Sequence, residues 1–319
     1  MALLGIHHVT SLASDPQRNV DFYTGLLGLR LVKRTVNFDA PDVYHFYYGD
    51  ETGTPGTLLT FFPFPDAARG KRGAGETTAV AFSVPSGSLA TWGERLAREG
   101  VALLTGPSTR FGQSLLSFED PDGMVVELVA DPAVDAVPGW AGSPAGAAHA
   151  IRRFHGVTFT QTELERPGRF LTGVLGFSED GVEGSRHRYG IGSPGSAAHI
   201  DIVVANGAGH GRQSAGSVHH IAWRVTDDAE QLRWRGDLQK AGVSPTPVMD
   251  RSYFHSIYFR EPGGVLFEIA TDPPGFAIDE PVTTLGEALK LPPWLEEHRP
   301  KIERHLPPIS VATASQGAA

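Results

Sequence analysis

The feature of this sequence that most constrains its fold is the internal repetition of one structural unit. The segment FYTGLLGL at residues 22–29 is matched by FLTGVLGF at residues 170–177, and the same offset aligns HHVT at 7–10 with HGVT. A second offset aligns ELVADP, beginning at Glu127, with EIATDP, beginning at Glu268. Repetition at fixed offsets indicates units that bury their hydrophobic faces against one another. The sequence therefore predicts repeated modules of a single fold.

Each module has the order βαβββ. In the first module, residues 6–12 read as a strand, and Asp15 and Pro16 begin a helix that Gly28 ends. Three segments rich in β-branched and aromatic residues follow as strands, at residues 29–38, 43–48 and 57–62. The same order returns from Thr77 and twice more in the second half of the chain. Four βαβββ modules are predicted.

A stretch rich in Pro, Gly and Ala separates the modules into two pairs. This stretch, residues 132–151, has the composition of a linker. We expect an N-terminal domain of residues 5–131 and a C-terminal domain of residues 152–274, each with two modules. Residues 275–319 are expected to form a C-terminal tail with a helix packed on the domains.

Composition excludes several classes of function. The formal net charge of −9 argues against a nucleic-acid footprint, which needs a basic surface. The chain has no cysteine, which excludes disulfides, thiolate metal sites and a cysteine nucleophile. No apolar stretch approaches the length of a membrane span and no leader pattern is visible, so a cytoplasmic location without membrane contact is expected.

Two histidine pairs and one glutamate lie in strands that are otherwise apolar. The pairs are His7-His8 and His219-His220, and Glu268 interrupts the run VLFEIA. Burying such groups is unfavourable unless a partner or a metal ion compensates them. A hydrogen-bonded core pair is the commoner explanation for one such motif, but the two pairs occupy equivalent positions in the repeat. We therefore interpret one histidine of each pair, together with Glu268, as metal ligands.

Comparison of the four modules indicates one complete set of metal ligands and one incomplete set. At the first-strand position the modules carry His8, Ala79, Gly156 and His220. At the last-strand position three modules carry Thr60, Glu127 and Glu268, and in the third module the candidates are His199 and Asp201. The outer modules must therefore come together in space. Glu127, which lacks histidine partners, is expected to pair with an arginine.

Two further residues are placed near Glu268 by the strand geometry. A hairpin turn centred on Gly263 sets Tyr258 directly across from Glu268, with both side chains on one face. Tyr258 is a candidate acid or hydrogen-bond donor, with an ordinary sheet tyrosine as the alternative. Arg251 precedes it and is a candidate to bind an anion, with a surface salt bridge as the alternative.

These motifs resemble the vicinal oxygen chelate superfamily, which includes glyoxalases, bleomycin-resistance proteins and extradiol dioxygenases. The chain is most similar to the hydroquinone-type ring-cleaving dioxygenases. The resemblance extends from the start of the chain to about Phe276 and rests on GIHHVT, VKRT, GTPGT, TRFGQ, RHRY, VHH and PGGVLFE. It implies an α+β fold of two tandem vicinal oxygen chelate domains with cup-shaped, mixed and antiparallel sheets.

The resemblance also implies roles for individual residues. The metal ligands would be the second histidine of each pair and the glutamate, which are His8, His220 and Glu268. Tyr258 and Arg251 would line the active site. The remaining histidines, His7 and His219, would belong to an outer shell. The commoner catechol dioxygenases take a metal ligand from the position that is Gly156 in this chain. Because glycine has no side chain to bind a metal, their ligand arrangement is not expected here.

Two histidines and one carboxylate leave three positions of an ion open, which suits non-haem Fe(II) and O₂. We expect Fe²⁺, with Mn²⁺ as an alternative, and a reaction that opens a hydroquinone-type ring. A small aromatic substrate and O₂ are the expected partners, and a homo-oligomer is compatible with them. One alternative is a glyoxalase-type isomerase or lyase, which would need a fourth ligand where Thr60 stands. The other is a metal-free binding protein on the same scaffold.

Overall fold

The computed structural model describes residues 2–192 and 198–311, which form two curved sheets with helices packed on them. The strands of the first and fourth modules are β1 (Ile6–Ala13), β2 (Arg30–Asn37), β3 (Ala40–Gly49), β4 (Leu58–Pro63), β13 (Val218–Val225), β14 (Met249–Asp250), β15 (Phe254–Arg260) and β16 (Leu266–Pro274). Those of the second and third modules are β5 (Glu76–Val84), β6 (Leu103–Arg110), β7 (Gln113–Glu119), β8 (Val125–Ala130), β9 (Arg153–Gln161), β10 (Ser178–Glu183), β11 (Arg186–Ile191) and β12 (Ala198–Val204).

Each sheet combines two modules. The first sheet has the strand order β14-β15-β16-β13-β1-β4-β3-β2, and the second has the order β10-β11-β12-β9-β5-β8-β7-β6. Within a module the first and last strands are parallel, whereas the first strands of two modules meet antiparallel. The outer modules thus share one sheet, as the repeat comparison required, and the inner modules share the other.

The α+β fold of four βαβββ modules is confirmed. The helices are α1 (Pro16–Val20), α2 (Leu89–Arg98), α3 (Glu165–Gly173), α4 (Asp228–Lys240) and α5 (Arg299–His305). In the first module α1 continues as a π-helix over Asp21–Leu26. Asp15 caps α1 by accepting a hydrogen bond from the backbone N–H of Arg18, and Pro16 occupies its first turn. The boundaries of the two domains and the linker remain predictions.

The tail folds back on the first sheet. After β16 it forms short 3₁₀ turns at Phe276–Ile278, Val282–Thr284 and Pro293–His298, and then α5. The backbone of Lys290 donates to the carbonyl oxygen of Arg34 on the edge strand β2. Residues 312–319 of the predicted tail lie outside the described residues. None of the helices in the described ranges has the length and apolar character to cross a membrane.

Candidate metal centre

Three predicted ligands from distant parts of the chain converge on one face of the first sheet. His8 lies on β1, His220 on the adjacent antiparallel strand β13, and Glu268 on β16, which is parallel to β13. The Nε2 atoms of His8 and His220 are 3.3 Å apart. Oε2 of Glu268 lies 3.3 Å from Nε2 of His8 and 2.9 Å from Nε2 of His220. One donor atom of each residue therefore faces a single point.

Glu268 has no exposed surface, and its two oxygens differ in their surroundings. Oε1 accepts a hydrogen bond from the hydroxyl of Ser256, whereas Oε2 makes no hydrogen bond of acceptable geometry with any described residue. Burial alone would raise the pKa of Glu268, but the imidazoles of His8 and His220 outweigh burial and hold this pKa well below its usual range. The group is an ionised carboxylate with one oxygen directed at the histidines.

The other nitrogens of the two ligand histidines bind to their neighbours in sequence. Nδ1 of His8 lies 2.9 Å from Nδ1 of His7, and Nδ1 of His220 lies 2.7 Å from Nδ1 of His219. When Nδ1 of a ligand histidine carries the shared proton, its Nε2 presents a lone pair to the convergence point. Burial and the adjacent ligand histidine lower the pKa of His7, and burial and His220 lower the pKa of His219 to about 3. Both are therefore neutral at pH 7.

This donor set fits a divalent metal ion. Two imidazole nitrogens and one carboxylate oxygen, all buried, lie within 4.8 Å of one another. Hydrogen bonding alone does not satisfy the three donor atoms, because a proton shared between two of these atoms leaves the third without a partner. Oε2 of Glu268 lacks a hydrogen bond within the described part of the chain. Imidazole and carboxylate together are ligands for iron, manganese or zinc. His8, His220 and Glu268 are the residues that could hold such an ion.

Tyr258 and Arg251 lie beside this centre, and the hairpin register of Tyr258 is the one expected from the sequence. Tyr258 is the register partner of Glu268 across β15 and β16. Its ring meets that of His220 edge-on with centroids 5.6 Å apart. Nε of Arg251 donates to the hydroxyl oxygen of Tyr258 over 3.1 Å. Burial and then the charge of Glu268 raise the pKa of Tyr258, and so its hydroxyl keeps its proton at pH 7.

A hydrogen-bonded group on the opposite side of the centre was not anticipated from the sequence. Thr60 occupies the position where a fourth ligand would stand, and its hydroxyl lies 2.8 Å from that of Thr10 and 3.0 Å from Nε2 of His45. Nδ1 of His45 is in turn 2.9 Å from the hydroxyl of Tyr47. Burial and the nearby His8 lower the pKa of His45, which is therefore a neutral imidazole.

The repeat relates this group to the other side of the centre. Tyr47 lies across from Thr60 in the first module as Tyr258 lies across from Glu268 in the fourth. His45, two residues before Tyr47, contacts Thr60 in the same way that Ser256 contacts Glu268. Applying the hairpin argument for Tyr258 to the first module would have found Tyr47 and, two positions earlier, His45.

The second sheet cannot hold a metal in the same way. A Cβ added at Gly156 would lie 2.3 Å from the carbonyl oxygen of His199, so this position has no room for any side chain. Glu127 accepts two hydrogen bonds from Arg110, as predicted. The register also assigns the third module: Asp201 pairs with Thr158, two residues after Gly156, just as Glu268 pairs with the residue two after His220. Asp201 is bound by Arg186 and Arg188.

The fold agrees with what comparison with known proteins shows. The family sequence model of the Glyoxalase/Bleomycin resistance protein/Dioxygenase superfamily matches residues 5–128 and 153–269. The chain belongs to this superfamily.

Relatives place it near one branch of the superfamily. A Bacillus subtilis (strain 168) protein named "Putative ring-cleaving dioxygenase MhqO" is 43% identical over 311 residues, which cover 97% of both chains. The "Chlorohydroquinone/hydroquinone 1,2-dioxygenase" of Sphingobium indicum is 38% identical over 300 residues, 92% of each chain. A crystal structure described as a putative dioxygenase from Bacillus subtilis superposes with a TM-score of 0.92 at 43% identity, covering 97% of this chain and 98% of that one. The predicted relationship to hydroquinone-type ring-cleaving dioxygenases is confirmed.

Proposed function

We propose that this protein is a non-haem Fe(II)-dependent dioxygenase that opens a hydroquinone-type or related diphenol ring with O₂. The observation that carries the proposal is the buried convergence of His8, His220 and Glu268, with Thr60 where a fourth ligand would stand. Three protein ligands leave positions for both a phenolic oxygen and O₂. The names of the full-length relatives support the same reaction class. Mn(II) is the alternative metal.

His8, His220 and Glu268 would hold the ion, and the bound ion would supply adjacent sites at which a phenolate and O₂ exchange electrons. Both atoms of O₂ enter the ring-opened product, so the overall reaction needs no external reductant. His7 and His219, through their Nδ1 contacts, keep the Nε2 lone pairs of the ligand histidines directed inward. The three ligands together carry one negative charge, which lowers the net positive charge of the centre.

Tyr258 and Arg251 would act on the substrate. The hydroxyl of Tyr258 accepts a hydrogen bond from Arg251, which leaves its own proton free to be donated to a substrate oxygen. The guanidinium of Arg251 would stabilise negative charge on the substrate, because the surroundings are largely buried and Coulomb interactions there are weakly screened. The two residues would thus position the substrate anion and transfer a proton to it.

On the Thr60 side, the hydrogen-bonded groups identified in the described part of the chain are neutral. His45, Thr60 and Thr10 satisfy one another's hydrogen bonds and place no carboxylate near the open positions of the ion. A glyoxalase-type isomerase uses a fourth ligand as its base. The uncharged Thr60 hydroxyl does not provide one, so the geometry favours oxygen chemistry over isomerisation.

The decisive experiment is anaerobic reconstitution with Fe(II), followed by O₂ uptake on a panel of hydroquinones and catechols. The proposal expects one O₂ consumed per ring opened and both atoms of ¹⁸O₂ in the product by mass spectrometry. A Zn(II)-loaded sample serves as the control and should consume no O₂. If no diphenol supports uptake while a glutathione hemithioacetal is isomerised, the dioxygenase assignment is wrong. Substrate binding that persists after metal removal would instead support a metal-free binding protein.

A further inference from the structure

A lysine that the proposed reaction does not use is completely buried on the edge strand of the sheet that carries the candidate metal centre. Lys33 on β2 has no exposed side-chain surface. Its Nζ lies 2.5 Å from Oδ1 of Asp279, is bonded to Oε2 of Glu280, and lies 4.9 Å from the ring centroid of Tyr253. A buried ammonium is unfavourable unless its partners are held in place. Both carboxylates belong to the C-terminal tail.

The part of the tail that Lys33 holds is residues 276–291, called the cap below. Besides the lysine contacts, guanidinium groups of Arg30 and Arg34 on β2 donate to backbone carbonyls of the cap. Glu280 also accepts backbone N–H bonds from Gly286 and Ala288, so the carboxylate that binds Lys33 fixes the cap's own turns. The cap is therefore attached to the edge of the first sheet by polar contacts.

The inner side of the cap is apolar and faces the sheet surface that carries the metal ligands. Phe276 and Leu285 belong to one buried cluster together with Val32, Tyr47, Leu58, Ala222, Tyr253, Phe254 and Ala270. Several members share the ligands' face by register: Ala222 is two residues after His220, and Ala270 is two after Glu268. The cluster therefore adjoins the triad on the same face of the sheet.

Aromatic contacts connect the cap to the metal ligands step by step. The ring of Phe276 lies 5.1 Å from that of Tyr47 and 5.0 Å from that of Tyr253. The ring of Phe254, in the same cluster, lies 4.9 Å from that of His8. An aromatic substrate bound by an oxygen at the ligand triad would have its ring beside these side chains.

We propose that the cap is the wall of the substrate pocket that limits the size of ring substituents, and that Lys33 is the positioning residue that fixes this wall. The proposal rests on the proposed dioxygenase function. Phe276 and Leu285 would contact substituents, because they are the cap side chains in the cluster that continues to the triad. Lys33 acts through Asp279 and Glu280 and touches no reacting atom. A buried ion pair suits this task because its directional bonds define one arrangement of the cap.

The test compares four variants with the parent protein. Phe276→Ala and Leu285→Ala enlarge the proposed pocket. Lys33→Met removes the ion pairs with Asp279 and Glu280 while keeping an apolar side chain of similar length. Lys240→Met is the matched control, because Lys240 forms an exposed ion pair with Asp237 on α4. Each Fe(II)-loaded protein is assayed with hydroquinone, methylhydroquinone and tert-butylhydroquinone. Metal content and backbone hydrogen exchange of residues 276–291 are measured in parallel.

The expected result is a change of selectivity without loss of metal. Phe276→Ala and Leu285→Ala should raise kcat/KM for tert-butylhydroquinone relative to hydroquinone by about 10-fold or more, the scale on which small changes of pocket volume act. Lys33→Met should shift the same ratio and speed exchange in the cap at least about 10-fold, whereas Lys240→Met changes neither.

Three results would overturn the proposal or one part of it. If the parent cleaves hydroquinone and the ratio stays constant in both alanine variants, the cap does not bound the pocket, although the dioxygenase function stands. If cap exchange in Lys33→Met equals that of the control, Lys33 does not position the cap. If the parent cleaves no diphenol, the proposed function is wrong, and so is the role of the cap as a pocket wall. The exchange data then still decide whether Lys33 holds the cap.

Discussion

Tyr258 and Glu268 lie directly opposite each other on β15 and β16, so that a phenol and a carboxylate share one face of the sheet. The first module has the same arrangement with Tyr47 opposite Thr60. The two sides of the metal centre are thus related by the repeat, but only one retains a carboxylate. This asymmetry leads to the first three predictions.

Replacing Tyr258 by Phe removes the hydroxyl that accepts from Arg251 and keeps the ring beside His220. We expect kcat for ring opening to fall about 100-fold, because a positioned proton donor contributes at least that factor. Fe(II) content should be unchanged. Tyr189→Phe, on β11 of the second sheet, is the control and should retain parental kcat. Equal kcat in both variants would show that the Tyr258 hydroxyl plays no part.

Replacing Glu268 by Gln should abolish tight metal binding. The amide keeps the size of the side chain but removes the negative charge that the two imidazoles stabilise. Metal content by plasma mass spectrometry should drop at least about 10-fold, the lower range for loss of a group that supports metal binding. Glu127→Gln, the equivalent position in the second sheet, should keep full metal content. Retention of metal by Glu268→Gln would contradict the assigned ligand.

Replacing Thr60 by Glu restores a carboxylate at the fourth ligand position. We expect tighter metal binding and O₂ uptake reduced by about 10-fold or more, because one open position of the ion would be filled. Thr60→Gln matches the size of the new side chain without the charge and should not raise metal affinity. The new carboxylate also loses the Thr60 contact to His45. Unchanged O₂ uptake in a correctly folded Thr60→Glu protein would mean that this position does not face the ion.

The second sheet should make the fold sensitive to acid through His199. Burial, and then His155 and Arg188, lower the pKa of His199 to about 4 in the folded protein. As pH falls from 6.5 to 4, the unfolded chain takes up a proton that the folded chain does not, so the free energy of unfolding decreases. The decrease amounts to up to about 3 kcal/mol. The stability is present above pH 6.5 and is lost through this window.

Urea unfolding at pH 7, 5.5 and 4.5 tests this loss. The acid-dependent decrease should be smaller in His199→Asn than in the parent, since the variant has no proton to take up at this position. His305→Asn, at an exposed site on α5, should follow the parent at every pH. Parallel curves for His199→Asn and the parent would exclude His199 as a source of the acid sensitivity.

The fold was accessible from the sequence because repetition supplies its own comparison. His8 and His220 could be matched by the repeat offsets, and Tyr258 by the symmetry of a hairpin about Gly263. The third module resisted alignment, since the choice between His199 and Asp201 depends on which residue of β12 pairs with Thr158. That register is set by hydrogen bonds between strands and is resolved only in the structure.

The cap was not predictable in the same way. Its short 3₁₀ turns carry no hydrophobic period, and its position depends on long-range contacts such as that between Lys33 and Glu280, 247 residues apart. His45 was missed for a different reason: the hairpin argument was applied to the fourth module only, although the same register in the first module sets Tyr47 across from Thr60. Local patterns define the modules, and tertiary packing determines what surrounds the candidate metal ligands.

The pairing of β1 with β13 has a consequence for the order in which the protein matures on the ribosome. The second sheet is built from one contiguous stretch, residues 76–204, and can close as soon as that stretch has emerged. Ile6 of β1 can pair with Trp223 only after β13 has been synthesised. The three candidate ligands can come together only after β16 has followed. Long-range strand pairings form slowly. We therefore expect the second sheet to assemble first during synthesis, and metal uptake at the proposed site to become possible only once β16 has been made.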